Sequence, residues 1–295
     1  MVKIVRKSAF AVALLLLVGV LIGFYLIWQN NRSVSYPARA QLEDSFNKGV
    51  GWLDNHQAEI LNDENPMLWW MLKESADLTE NRVLTTLYAR YRTRYLDQNP
   101  HNPWLHLFYG NSSEPLSSSQ LADLPYYNLF FLYGLSCDAN LADDQVIRDQ
   151  LQENFCDSHL LSPACVTHQM MGLRFMQRRA CGNSENVAVT ISALQDKIVS
   201  QLTWDVRVVD VYLQRVLMLE DSGMGKRVKP IWITRILGAQ DSEGGWSDFQ
   251  PLIPLGPDLA IGFFAKGINI ESRRSGFHAT AQGVLLMSLL LSHSK

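Results

Sequence analysis

Ser8 to Trp28 reads SAFAVALLLLVGVLIGFYLIW, a run of 21 residues without a charge. At 1.5 Å per residue a helix of this length crosses a hydrocarbon core of about 30 Å. Lys3, Arg6 and Lys7 precede it and only Arg32 follows closely. A positive flank stays on the cytoplasmic side, so the remainder of the chain is expected to face outward. Tyr25 and Trp28 fall where an interfacial aromatic belt is expected. The rival reading is a cleaved signal peptide, with Ala38-Arg39-Ala40 as the small-x-small cleavage pattern. Its apolar core is normally about 7–15 residues, shorter than this one, and the pattern stands far beyond Trp28. Gly19-x-x-x-Gly23 has the spacing of a helix-dimer face and suggests a homodimer through Gly19 and Gly23.

The spans that follow are a cytoplasmic tail at 1–7, a signal-anchor helix at 8–28, a polar stalk at 29–39 and an extracytoplasmic domain at 40–295. The expected location is an inner (plasma) membrane, crossed once, with the C-terminal domain in the periplasm or its equivalent. Removing Lys3, Arg6 and Lys7 from the 26 basic residues leaves 23 against 29 acidic ones in the outer part, a net of −6. That balance argues against nucleic acid as a partner, and the bilayer contact is assigned to residues 8–28.

The outer part is helical in its periodicity. Leu42, Phe46, Val50 and Leu53 recur at three and four, as do Leu84, Leu87, Tyr88, Tyr91 and Tyr95. The segment from Trp204 repeats the pattern with Val206, Val209, Leu213, Val216, Leu217 and Glu220. Breakers such as Asn65-Pro66, Asn99-Pro100, Ser162-Pro163 and Gly244-Gly245 separate the runs. Helices are predicted near 40–61, 66–77, 79–97, 119–136, 141–158, 163–180, 186–203, 205–221, 229–240 and 277–292, with a weaker one over 257–268. Thr79-Glu80 reads as a helix start. Residues 99–118 form the longest irregular stretch, and no alternating run bounded by turns suggests a strand. The fold class expected is all-α: a transmembrane helix and then a multi-helix domain.

Two segments resemble the α/α-toroid superfamily of terpenoid cyclases and protein prenyltransferases. Its repeat carries a basic residue, a small residue, an aromatic-aliphatic pair, a Gln three residues on, and then Gly-x-Trp. Lys48-Gly49-Val50-Gly51-Trp52-Leu53-Asp54-Asn55-His56-Gln57 matches the first half, and Gln240-Asp241-Ser242-Glu243-Gly244-Gly245-Trp246 the second. Phe277-His278-Ala279-Thr280-Ala281-Gln282-Gly283-Val284 then resembles the inner helix that follows the Gly-x-Trp turn. The resemblance implies a toroid-like layout. In it, Gln240 would bond backbone, the glycines would permit a tight reversal, and Trp246 would wedge between helix pairs. The family's reactions do not carry over. Cyclases of this kind use Asp-x-Asp-Asp, and Leu141-Ala142-Asp143-Asp144 lacks its first Asp. No Asp, Cys and His set aligns with the prenyltransferase zinc site, so no cofactor is expected.

Candidate site residues follow from side-chain chemistry. His278 and Gln282 stand four apart on one helix face. If a toroid forms and its inner-helix starts surround one cavity, a carboxylate of Asp210 or Glu243 beside His278 would support acid–base work, making Asp210, His278 and Glu243 the catalytic candidates. Gln282, Trp246 and Arg215 are the binding candidates. Trp69, Trp70, Trp104, Tyr126 and Tyr127 are available to stack on sugars. Cys137, Cys156, Cys165 and Cys181 suit two disulfides in an oxidising compartment, in any of three pairings. Cys156-x2-His159 and Cys165-x2-His168 alternatively have the spacing of a tetrahedral zinc set. No Gly-x-Ser-x-Gly elbow or phosphate-cradling loop appears. Two roles fit: a cell-envelope binding or scaffold module for a glycan, lipid or protein, or an envelope enzyme with a central cavity acting on a glycan or isoprenoid-type lipid.

Overall fold

The computed structural model describes residues 2–110, 116, 121, 124–159, 161–256, 259–272 and 274–293, with side chains from residue 13 onward. It opens with α1 (Val2–Asn31). An apolar stretch within Ala13–Asn31 has mean hydropathy 1.9 and only 6% of it is buried, which by length and composition fits a membrane span or an N-terminal signal. Added methyl groups at Gly19 and Gly23 would meet open space.

Thirteen further helices follow among the described residues, and their ends are set by local chemistry. Asn65 accepts from Met67 N and Pro66 fills the first position of α4 (Pro66–Thr79), after α2 (Arg39–Asn55) and the short α3 (Gln57–Ile60). Asn81 accepts from Val83 N and Leu84 N to start α5 (Arg82–Tyr91), which widens into a π turn at Arg92–Leu96. Thr79-Glu80 is thus an end rather than a start, with Glu80 in the left-handed region at φ 54°. The irregular stretch holds a short α6 (Leu105–Tyr109). Next come α7 (Tyr126–Ser136), α8 (Ala139–Ala142), α9 (Gln145–Gln150), α10 (Cys165–Arg179), α11 (Ser184–Trp204), α12 (Asp210–Asp221), α13 (Pro230–Gly238) and α14 (Phe277–His293). The single helix expected over 141–158 is broken, because Asp138 and Asp144 each cap a new turn.

The body is not wholly helical. Where a weak helix was expected over 257–268, the described residues form strands. β1 (Gln250–Pro254), β2 (Ala260–Phe264) and β3 (Gly267–Glu271) make one antiparallel sheet in that order. Pro257 and Asp258, at the start of that range, lie outside the described residues.

The core forms around α14, which is mostly apolar and buried from Phe277 to Leu291 except at His278 and Leu289. It packs against α2, α4 and α12. Trp246 occupies the seam between α14 and α2. Gln240 donates to Ser45 O at 2.9 Å and to Gly244 O at 2.7 Å, and Gly244 adopts φ 102°. Trp246 Nε1 donates to Ile236 O at 3.0 Å. The two partial motifs of the sequence therefore touch, with Gly49 of the first against Trp246 of the second.

The segment 29–39 begins within the last turn of α1. Helix α1 continues to Asn31, and Asn30 is fully buried in the domain. Asn30 Nδ2 donates to Leu202 O at 2.6 Å and to Asp205 O at 3.3 Å. Its Oδ1 accepts from Tyr212 Oη at 2.9 Å and from Arg235, and its carbonyl accepts from Trp232 Nε1 at 3.0 Å.

Candidate functional site

The first turn of α14 places His278 at its mouth, and the next turn places Gln282 behind it. Asp210 reaches the same point because it is the first residue of α12, 68 positions away in sequence. His278 Nδ1 lies 3.6 Å from Asp210 Oδ2, and Gln282 Nε2 lies 3.0 Å from His278 Nε2. An amide nitrogen only donates. With Gln282 in this orientation His278 Nε2 accepts, and the ring proton sits on Nδ1, towards Asp210. Burial pushes the Asp210 carboxyl up, against the opposing pull of His278 and of the Val211 backbone N–H. Asp210 Oδ1 and Gln282 Oε1 are buried without a hydrogen-bond partner among the described residues. Such acceptors are costly unless something supplies a donor.

His278 is half exposed and stands between two cavities of about 390 Å³ and 340 Å³, which share His278 and Asp63. Each falls in the size range of small-ligand sites. The larger lobe is walled by Met67, Trp104, Tyr127, His168 and Gln214, the smaller by Trp52, Glu59 and Asp248. Tyr127 lies over His168 with ring centroids 4.5 Å apart. Burial, with His278 adding to it, lowers His168 to about 4, so this imidazole is neutral. Thr167 Oγ1 donates to Gln214 Oε1 and fixes that amide in the wall. Asp63 Oδ1 accepts from Asn65 N at 2.8 Å, which fixes the carboxylate at the rim. Among the described residues no Lys or Arg lines either lobe.

Asp210, His278 and Gln282 thus converge, Trp104 and Tyr127 line the larger lobe beside them, and Glu243, Arg215 and Trp246 do not join them. Glu243 stands outside both lobes, where its carboxylate accepts from Ser275 N at 3.1 Å. Its pKa is lowered overall, since hydrogen bonds from Ser275 outweigh the effect of burial. Arg215 is buried against Asp205 at 2.7 Å and Gln201 at 3.0 Å, away from the cavities. Trp246, Trp69 and Trp70 are core residues. Asp63 and Gln214 carry no sequence signal. They become visible only when turn 63–66 and helix α12 are brought together.

The cysteines of the zinc alternative are paired as disulfides. Cys156 is bonded to Cys165, and Cys137 to Cys181, so no thiolate is available. His159 Nδ1 contacts the Phe155 carbonyl while His168 points into the larger lobe. Among the described residues no group of three or more His, Cys, Asp or Glu side chains is placed to hold a metal. No family model, curated protein or solved structure matches the chain.

Proposed function

We propose that this protein is a cell-envelope binding module, held at the membrane by α1, whose two-lobed cleft takes an uncharged, polyhydroxylated ligand of the glycan class. The observation that carries this is the junction at His278. His278 joins two aromatic-walled lobes, and behind its imidazole, outside the lining of either lobe, lie two unpartnered buried acceptors, Asp210 Oδ1 and Gln282 Oε1. Sugar hydroxyls supply donors, and their apolar ring faces suit Trp104 and Tyr127. The carboxylates of Asp63, Glu59 and Asp248 also accept from hydroxyls. They repel phosphates, which speaks against an isoprenoid diphosphate here. The extracytoplasmic placement is supported by the two disulfides together with the basic residues ahead of α1. The Gln240–Trp246 turn supports a toroid-like layout, and the open Gly19 and Gly23 face supports pairing of two anchors in the bilayer.

The Asp210–His278 pair favours a second reading, an acid–base enzyme on the same ligand class. Binding is the better supported role, because the Gln282 amide occupies the imidazole nitrogen that a general base would use.

The test is titration of the full chain in lipid nanodiscs with neutral N-acetylglucosamine oligomers, read by tryptophan fluorescence and calorimetry. Saturable binding that weakens in Tyr127→Ala and in His278→Ala is expected. Absence of binding to any neutral oligosaccharide on an envelope-glycan panel would reject the glycan reading. Turnover abolished by Asp210→Asn would move the assignment to the enzyme.

A further inference from the structure

The small sheet has one face that its register makes apolar except at Gln250, which pairs with Phe263 at one end. Phe263 pairs with Ile268, Ile261 with Ile270, and Ile253 with Ile261. Directly opposed residues point the same way, so Ile253, Ile261, Phe263, Ile268 and Ile270 share a face. On the opposite face the β2 residues turn inward, while Asn269 and Glu271 of β3 stay exposed. Ala260 and Gly262 are buried there, and Gly262 backs onto the Phe249 ring. The first face looks out, with Ile253 56%, Ile268 68% and Ile270 54% exposed. Leu252, at the irregularity in β1, and Leu255 and Leu259 beyond it are exposed as well. A continuous apolar face of this kind, flanked by open strand edges, is an aggregation hazard unless something covers it.

Its place in the fold identifies the cover. Arg207 Nη1 donates to Phe264 O at 3.2 Å and to Ala265 O at 2.8 Å, at the turn between β2 and β3. Arg207 Nε also holds Asp205 at 2.7 Å, and Val208 N donates to Gln250 Oε1 at the start of β1. The Asp205 carbonyl in turn accepts from Asn30, in the last turn of α1. Residues 205–208 therefore join the end of the apolar helix directly to the sheet. Trp204, at the same junction, is 64% exposed, as an interfacial tryptophan would be.

We propose that the outward face of the sheet rests on the surface of the bilayer that α1 enters, giving the domain a second apolar contact with the same membrane. The proposal rests on reading α1 as a retained span. The contact lies at headgroup depth. Free backbone groups on the edges of β1 and β3 are excluded from hydrocarbon but are satisfied where water remains. Lys266, exposed at the hairpin turn, adds attraction to anionic headgroups. Two-point attachment would fix the orientation of the domain, and with it the direction in which the cleft opens.

The experiment is photo-crosslinking of the full chain in nanodiscs of phosphatidylethanolamine and phosphatidylglycerol carrying a fluorescent lipid tracer. Benzoylphenylalanine replaces Leu252 or Ile268 in the sheet, Leu21 in α1, or Val189, which is 60% exposed. Val189 lies in the same helix as Trp204, ~22 Å from it along the axis. The expected result is about tenfold more lipid adduct at 252 and 268 than at 189, approaching the level at 21. Adduct at 21 with only background at 252 and 268 would overturn the sheet contact alone. So would a crosslinked dimer in place of the lipid adduct, which would assign the face to a second copy of the chain. Background at 21 would remove the span reading and the sheet contact together.

Discussion

The indole of Trp246 lies against Gly283 so closely that a Cβ on Gly283 would stand 2.5 Å from Trp246 Cε3. Gly49 meets the other side of the ring, with its added Cβ at 2.9 Å from Trp246 Cζ3. Trp246 cannot retreat, because it is buried and tied through its indole N–H to Ile236 O. Gly283→Ala is therefore expected to lower stability by about 1–3 kcal/mol, the usual cost of overpacking. Trp246→Phe should itself destabilise by leaving space. The double variant should lose less than the two single losses added together, since each relieves the fault of the other. Urea midpoints of the four proteins measure the coupling, and strict additivity would show that ring and glycine do not interlock.

That seam was legible in sequence because its parts are local strings. Gln240 and Gly244-Gly245-Trp246 form one turn, and the small residues of α14 recur along one short stretch. Leu42, Phe46, Val50 and Leu53 likewise announced a face that the fold buries entirely. The sheet was not legible. Five-residue strands offer only Ile268-x-Ile270 and Ile261-x-Phe263, too few repeats to separate a strand from a helix. Nor was the full site. His278 and Gln282 are joined by helix spacing, but Asp210, Asp63 and Gln214 arrive from other elements through tertiary packing, which leaves no periodic trace.

Asn30 is the joint between the apolar helix and the body, and its side chain uses both donor and acceptor there. Asn30→Leu would leave Tyr212 Oη, Arg235 and the Leu202 carbonyl short of a partner in a buried place. A loss of about 2–4 kcal/mol is expected, since these three groups lose a partner and one of them, Arg235, is charged. Amide exchange should rise first at the C-terminal end of α11 and the start of α12. Unchanged protection there would mean that the joint carries no strain from the substitution.

The two disulfides should differ in what they protect. Cys137–Cys181 spans 44 positions and Cys156–Cys165 spans 9. The loop-entropy relation gives about 4 kcal/mol for the first and about 3 kcal/mol for the second. Cys165 begins α10, and His168 and the wall of the larger lobe follow within a turn. The pair Cys156→Ser with Cys165→Ser should therefore weaken oligosaccharide binding as well as stability. The pair Cys137→Ser with Cys181→Ser should lower the melting temperature more but leave affinity near that of the parent. Equal affinity losses in both would show that binding follows overall stability rather than the lobe wall.

His168 in the cavity wall and Asp210 behind His278 should act on the acid range of the pH profile with opposite signs. His168 titrates at about 4 in the folded protein against an ordinary 6.5, so the unfolded chain takes up its proton first as pH falls. Stability is whole above pH 6.5 and declines between there and about pH 4, by up to about 3 kcal/mol. Asp210 has the reverse sign. Its raised pKa makes the folded state favour the neutral carboxyl, so stability falls as pH climbs above the unfolded carboxylate value. His168→Gln should flatten the acid limb and leave the neutral range unchanged. Asp210→Asn should raise the urea midpoint near neutrality and steepen the acid limb, because the carboxyl no longer offsets the loss from His168. Reversed assignments, with Asp210→Asn abolishing the acid limb, would mean that His168 is charged in the cavity and that the wall of the larger lobe is more polar than its packing against Tyr127 implies.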